Sequence, residues 1–175
     1  MDKDAGIELH DVRDCYIQGN MITDNGLLGI WLYKTALGTN TNNTVEGNDF
    51  TDNQYGVYSE GSTANRILGN GFVNNSRGLY QSSGTHEVAG NTFALNGFGI
   101  LYSGANNNVI TENIFEGNYY GMYISSGMGN SVHHNRFQGN TVSAVDDAAN
   151  VWDDGYPSGG NHWDTYTGPD DCTGP

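Results

Sequence analysis

GILYSGANNNVITENIFEGNYY, residues Gly99–Tyr120, repeats itself in both directions along the chain. One unit earlier stands GLYQSSGTHEVAGNTFALNGF (Gly78–Phe98), and one unit later GMYISSGMGNSVHHNRFQGN (Gly121–Asn140). The columns hold residue by residue. An aromatic recurs at Phe50, Phe72, Phe93, Phe115 and Phe137, in steps of 22, 21, 22 and 22. Asparagine recurs two places earlier (Asn48, Asn70, Asn91, Asn113, Asn135) and again three places later (Asn53, Asn75, Asn96, Asn118, Asn140). A glycine opens the units at Gly29, Gly56, Gly78, Gly99 and Gly121, and a β-branched residue sits at Val45, Ile67, Val88, Ile110 and Val132. Self-similarity in so many columns at one period means a solenoid.

Residue types select the kind of solenoid. Apolar residues alternate over short stretches, as at Ile100 and Tyr102, and Asn, Gly and Ser clusters separate those stretches. That pattern predicts short strands and turns, with no sustained helical period. Three strands and three corners fit into about 22 residues, and each turn of the coil stacks on the next about 4.8 Å away. A buried corner asparagine can then donate to one neighbouring rung and accept from the other. Left unpaired, it would cost about 1–3 kcal/mol, so the columns imply stacked amides. The phenylalanine column belongs inside. The expected fold is an all-β parallel β-helix of six to seven rungs, spanning residues 1–145, with an irregular aromatic and acidic segment, 146–175, packed on the last rung.

The whole chain has 175 residues, 26 of them glycine, and a net charge of −14 with only two lysines and four arginines. Such a surface repels phosphate backbones, so nucleic acid is not the expected partner. No apolar run is long enough to span a bilayer. Met1 leads straight into an ordinary repeat with no secretory signal, which suggests a piece of a longer chain with flanking domains.

Two places depart from the repeat. From Trp31 to Val45 there are 14 residues where later rungs have eight or nine, so Lys34–Asn43 should bulge from one corner. After Asn140 the columns decay into a stretch with Pro157, Pro169, Trp152 and Trp163. An open β-helix end exposes strand edges and core, so this stretch is expected to cover it. Cys15 lies in the first rung and Cys172 beyond the last. Five rungs separate them by about 24 Å, outside disulfide reach, so free thiols or an intermolecular bond at Cys172 are expected.

The repeat GIxL…NNxI…NxF…N over residues 6–145 resembles the PbH1-type right-handed parallel β-helix. It is most similar to the NosD-like, carbohydrate-binding and sugar-hydrolysis proteins. The ending VWDDGYPSGGNHW (Val151–Trp163) followed by DTYTG (Asp164–Gly168) resembles the segment that closes the helix in secreted archaeal surface proteins. The resemblance implies an extracellular or cell-surface β-helix that binds, and in some relatives processes, polysaccharide as a lyase, epimerase or hydrolase. Two other readings stand beside it: a non-enzymatic structural or adhesive module that self-assembles, and a NosD-like periplasmic accessory protein. The repeat specifies fold and leaves activity open.

Three surface features are candidates for function. Trp31, Tyr58, Tyr80 and Tyr123 follow directly on the inward column Ile30, Val57, Leu79 and Met122, so pleating turns them outward. They would make a platform for sugar rings, or simply stabilise the sheet. Glu112 and His134 share a column on adjacent rungs, with Arg136 diagonal to them, as acid, base and uronate clamp or as a surface charge network. Asp146, Asp147, Asp153 and Asp154 crowd the end, where a hard cation such as calcium would suit oxygen ligands, although the fold requires no cofactor. Copper is not expected: His133 and His134 should diverge on a strand, and no Cys, Met and His gather for a soft ion. His86 stands in an asparagine column (Asn43, Asn65, His86, Asn108, Asn130) and reads as a corner residue.

Overall fold

The computed structural model describes residues 5–155 and 157–166. Among them the chain coils through three parallel sheets, of seven, six and seven strands. The first sheet holds Ala5–His10, Leu28–Tyr33, Tyr55–Glu60, Arg77–Gln81, Phe98–Ser103, Tyr120–Ser126 and Val142–Asp146, each paired in parallel with its neighbour one turn away. Short strands of two to four residues make the other two sheets. The architecture is the parallel β-helix that the repeat predicts, with about seven turns.

Register stacks the sequence columns on one another. Ile30, Val57, Leu79, Ile100, Met122 and Ala144 pair in series, and the first five are wholly buried. The phenylalanines lie parallel in a continuous pile, with centroids 4.7, 4.7, 5.1 and 4.6 Å apart. Each buried ring contributes about 1.5–3 kcal/mol by leaving water. The glycine that opens each unit has a steric cause. A Cβ on Gly56 would stand 2.6 Å from the Gly78 carbonyl and 2.7 Å from Phe72, so only glycine lets the rungs and rings close up.

The asparagine columns form amide ladders. Asn113 Oδ1 accepts from the backbone N–H and the side-chain Nδ2 of Asn91, each at 2.9 Å. Its own Nδ2 donates to Asn135 Oδ1, Val88 O and Thr111 O, all at 2.9 Å. The second column repeats this from Asn53 through Asn75, Asn96 and Asn118 to Asn140. A third runs through Asn43 and Asn65, and resumes from Asn108 to Asn130 and Asn150. His86 holds its place there, as expected of a corner residue: its Nδ1 accepts from Asn65 N–H, and its own N–H donates to Asn108 Oδ1.

The long second rung bulges at the predicted corner, where Leu37 is fully exposed. The loop is tied down by Asp11, which accepts from Thr35 N–H and Oγ1, and by Asn40, whose amide reaches Leu9 O. Within the described part of the terminal segment, residues take up rung positions on the last full rung. Asn150 and Asn161 extend two ladders, and Trp163 stacks on Phe137 at 4.5 Å and 11°. Between them, Asp153 and Gly160 pair as an antiparallel bridge and close a small excursion from the coil.

Candidate functional site

The first sheet turns an aromatic face outward. Trp31, Tyr58, Tyr80, Leu101 and Tyr123 pair in one line across it, all half-buried. A second line, Tyr55, Arg77, Phe98 and Tyr120, runs beside it. Period-two alternation makes the first line legible in sequence. The second lies at the strand starts, where alternation counted back from inward Val57, Leu79 and Ile100 places Tyr55, Arg77 and Phe98 inside and so hides it. Rings of the two lines touch: Tyr55 meets Tyr58 edge-on at 5.3 Å, and Tyr120 meets Tyr123 at 5.3 Å. Burial, and then the nearby Glu60 carboxylate, push the Tyr58 phenol up to about 12, so it remains a neutral surface.

Glu112, His134 and Arg136 are exposed near the C-terminal end of the coil. Glu112 and His134 occupy the same corner on successive rungs, with φ of 57° and 56°. In the four preceding rungs that corner is glycine: Gly19, Gly47, Gly69 and Gly90. Among the described residues no hydrogen bond or ion pair joins Glu112 or Arg136 to His134. The contacts of His134 go elsewhere.

His134 turns toward His133. The expectation that adjacent histidines diverge assumes strand geometry at both, but the strand ends at His133 and His134 has the left-handed backbone of a corner. Alternation fails at that residue, and the two Nδ1 atoms come within 3.1 Å. On its other side His134 Nε2 lies 3.0 Å from the carbonyl oxygen of Ser158. A carbonyl only accepts, so Nε2 carries a proton, and the Nδ1 that faces His133 is the nitrogen whose lone pair the neutral tautomer leaves free. The Ser158 hydroxyl donates to Asp154 Oδ2 at 2.8 Å. One ligand atom from each of His133, His134 and Asp154 lies within 4.8 Å of the other two.

This donor set can be tested against the chemistry of an ion. Two nitrogens 3.1 Å apart can both reach one ion at the roughly 2.0–2.1 Å usual for zinc–imidazole bonds. Imidazole with a carboxylate suits zinc(II), copper(II) or nickel(II), and the absence of sulfur from the set does not suit copper(I). A ligating histidine usually donates its other ring N–H to a carbonyl or carboxylate, which fixes its tautomer; Ser158 does this for His134. The residues fit a borderline divalent ion.

The four aspartates expected to gather at the end meet different partners. Asp146 accepts from Ala148 N–H, the Asn150 amide and Trp152 Nε1, so it ties the terminal segment together. Asp147 takes the Tyr123 hydroxyl, and Asp153 the Gly155 N–H. Among the described residues, Asp154 is the one of the four that joins a cluster, with the two histidines. Cys15 is a free thiol, while Cys172 lies outside the described residues.

Searches among curated proteins and solved structures found no match. A family profile described as periplasmic copper-binding protein (NosD) matches residues 1–85 and 77–168. That name carries copper, the metal that strand alternation at His133 and His134 disfavours, and it agrees with a NosD-like periplasmic accessory protein. Matched over nearly its whole length, and folded as the parallel β-helix that the repeat demands, the chain belongs to the NosD family.

Proposed function

We propose that this protein is a periplasmic accessory protein that holds a divalent transition-metal ion, copper(II) in keeping with its family, at His133, His134 and Asp154. The observation that carries this reading is the convergence of the two Nδ1 atoms, with the His134 tautomer set by Ser158. Two imidazole nitrogens and a carboxylate would hold the ion and leave further positions open to water or a partner's ligand. The bound ion would supply a Lewis-acidic centre or a cargo for transfer. This chain's contribution is orientation: the His134 corner aims one ring, and the Ser158 carbonyl and hydroxyl hold that ring and Asp154 in place. Titration of the metal-free protein with copper(II), followed by calorimetry and electron paramagnetic resonance, tests the reading. A single site with nitrogen hyperfine structure is expected, lost in His133→Ala/His134→Ala. An unchanged isotherm in that variant refutes the assignment.

A second reading, glycan binding, is supported by the two outward aromatic lines of the first sheet. The rings lean on one another along the coil, so their outward edges make an apolar strip, and several weak contacts along one polymer would act together. Tyr58→Ala/Tyr80→Ala, checked for intact fold by circular dichroism, should lose affinity for a bound glycan. Full retention would leave the rings a purely structural role.

A further inference from the structure

Asparagine followed directly by glycine occurs three times, at Asn25-Gly26, Asn70-Gly71 and Asn96-Gly97, and each asparagine belongs to an amide ladder. In such a pair the glycine nitrogen, unhindered by a side chain, can attack the amide carbon of the asparagine. Whether it does so depends on what else holds the two groups. Gly71 N–H donates to Asn48 O at 2.9 Å, and Gly97 N–H donates to Asn75 O at 3.0 Å. Asn70 and Asn96 are buried, and each side chain accepts from one rung and donates to the next. Asn25 differs on every count. It is half-buried, and Gly26 is exposed. Among the described residues Gly26 N–H donates to nothing and Asn25 Oδ1 accepts nothing. The Asn25 side chain is held by one contact, from Nδ2 to Asn53 Oδ1 at 3.0 Å.

We propose that Asn25 is a site of spontaneous deamidation, and that the reaction loosens the first rung as the protein ages. This is independent of the metal and glycan readings. The Gly26 nitrogen gives its proton to solvent and bonds to Asn25 Cγ, the Cγ–Nδ2 bond breaks, and ammonia leaves. Water then opens the resulting succinimide at either carbonyl and yields aspartate or isoaspartate, with no oxidant or reductant. The product matters because of what Nδ2 does in the ladder. A carboxylate only accepts, so the donor to Asn53 Oδ1 is lost and two acceptors face each other. Isoaspartate also adds a carbon to the main chain, and so displaces the corner that leads into Leu28–Tyr33.

The experiment incubates the full chain in mildly alkaline buffer. Peptide mass spectrometry with electron-transfer fragmentation then follows aspartate and isoaspartate at the three pairs. Asn25 should react at least roughly tenfold faster than Asn70 or Asn96, because those two must first open a buried ladder. In concentrated urea the three rates should converge, since every pair is then free. Gly26→Ala tests the attacking group: a Cβ there meets nothing within 4 Å, so the fold is kept while attack is hindered. It should slow the reaction at Asn25 several-fold. Asn25→Asp supplies the product directly and should speed hydrogen exchange in residues 5–25, leaving residues 65–140 unchanged. Equal rates at the three pairs in the folded chain, or an undiminished rate in Gly26→Ala, overturns the site. Unchanged exchange in Asn25→Asp overturns its consequence for the first rung.

Discussion

One corner of the coil is glycine in the first four rungs and something else in the next two. Gly19, Gly47, Gly69 and Gly90 adopt φ of 66°, 60°, 58° and 65°; Glu112 and His134 adopt 57° and 56° in the same place. The backbone is unchanged and only the side chain is new. Left-handed backbone costs an ordinary L-residue roughly 1–2 kcal/mol, while glycine enters it freely. The N-terminal rungs use the least strained residue at this corner. The C-terminal rungs accept strain and gain two projecting side chains, one of which forms the histidine pair. The regular part of the solenoid is thus organised for stacking, and the end is organised for chemistry.

The largest expected effect tests the regular part. Asn113→Leu fits by volume but leaves donors and acceptors unpaired on Asn91 and Asn135, at the centre of a buried ladder. The loss should be a few kcal/mol. The equivalent change at Asn161, half-buried at the end of that ladder, should cost clearly less. Thermal denaturation of both variants compares the two regions directly, and equal midpoints would erase the distinction.

Acid should reach the regular part through His86. Its imidazole is pushed down to about 4, from an ordinary 6.5, because burial disfavours its charged form. Its neighbours agree: Nδ1 already accepts from Asn65 N–H, and Nε2 lies 2.6 Å from Ser59 Oγ. The unfolded chain therefore takes up this proton near pH 6.5, and the folded chain only near pH 4. The associated stability is complete above pH 6.5, falls as pH drops toward 4, and is level below. The loss should come to about 3 kcal/mol across that window. His86→Asn restores the residue used elsewhere in the column, and its denaturation curves should lack this component. A variant with the same pH profile as wild type would count against it.

Metal should act at the other end. His133 and His134 belong to the sixth rung and Asp154 to the terminal excursion, so an ion held by all three fastens that excursion to the coil. Zinc(II) at about a hundredfold over its dissociation constant should stabilise the protein by about 2.7 kcal/mol. Hydrogen exchange should slow most in residues 150–163. Asp154→Asn should retain binding through the histidines and lose most of that local protection. Slowing spread evenly along the coil would break the comparison.

The smallest effect measures the strain itself. Glu112→Gly returns the corner to the residue of the earlier rungs and should raise stability by up to about 1 kcal/mol, since relief of the backbone outweighs the added freedom of the unfolded chain. The same change at His134 should show less gain, because contacts to His133 and Ser158 are lost, and metal binding should fall with it.

Sequence by itself determined the coil. Periodicity fixes which residues stack, because each rung repeats the environment of the last, and so the inward phenylalanines, the amide ladders and the outward line of Trp31, Tyr58, Tyr80 and Tyr123 were all legible. The second aromatic line was not, since strand alternation gives no warning that residues at a strand's start swing outward beside the corner. Tertiary structure alone decided the histidine cluster. Its rule-breaking step is a left-handed corner at His134, where strand alternation has no force. Its other half, Asp154 and Ser158, arrives from an excursion whose sequence follows no column at all. A repeat predicts what repeats; a site made where the repeat ends depends on long-range packing that no period encodes.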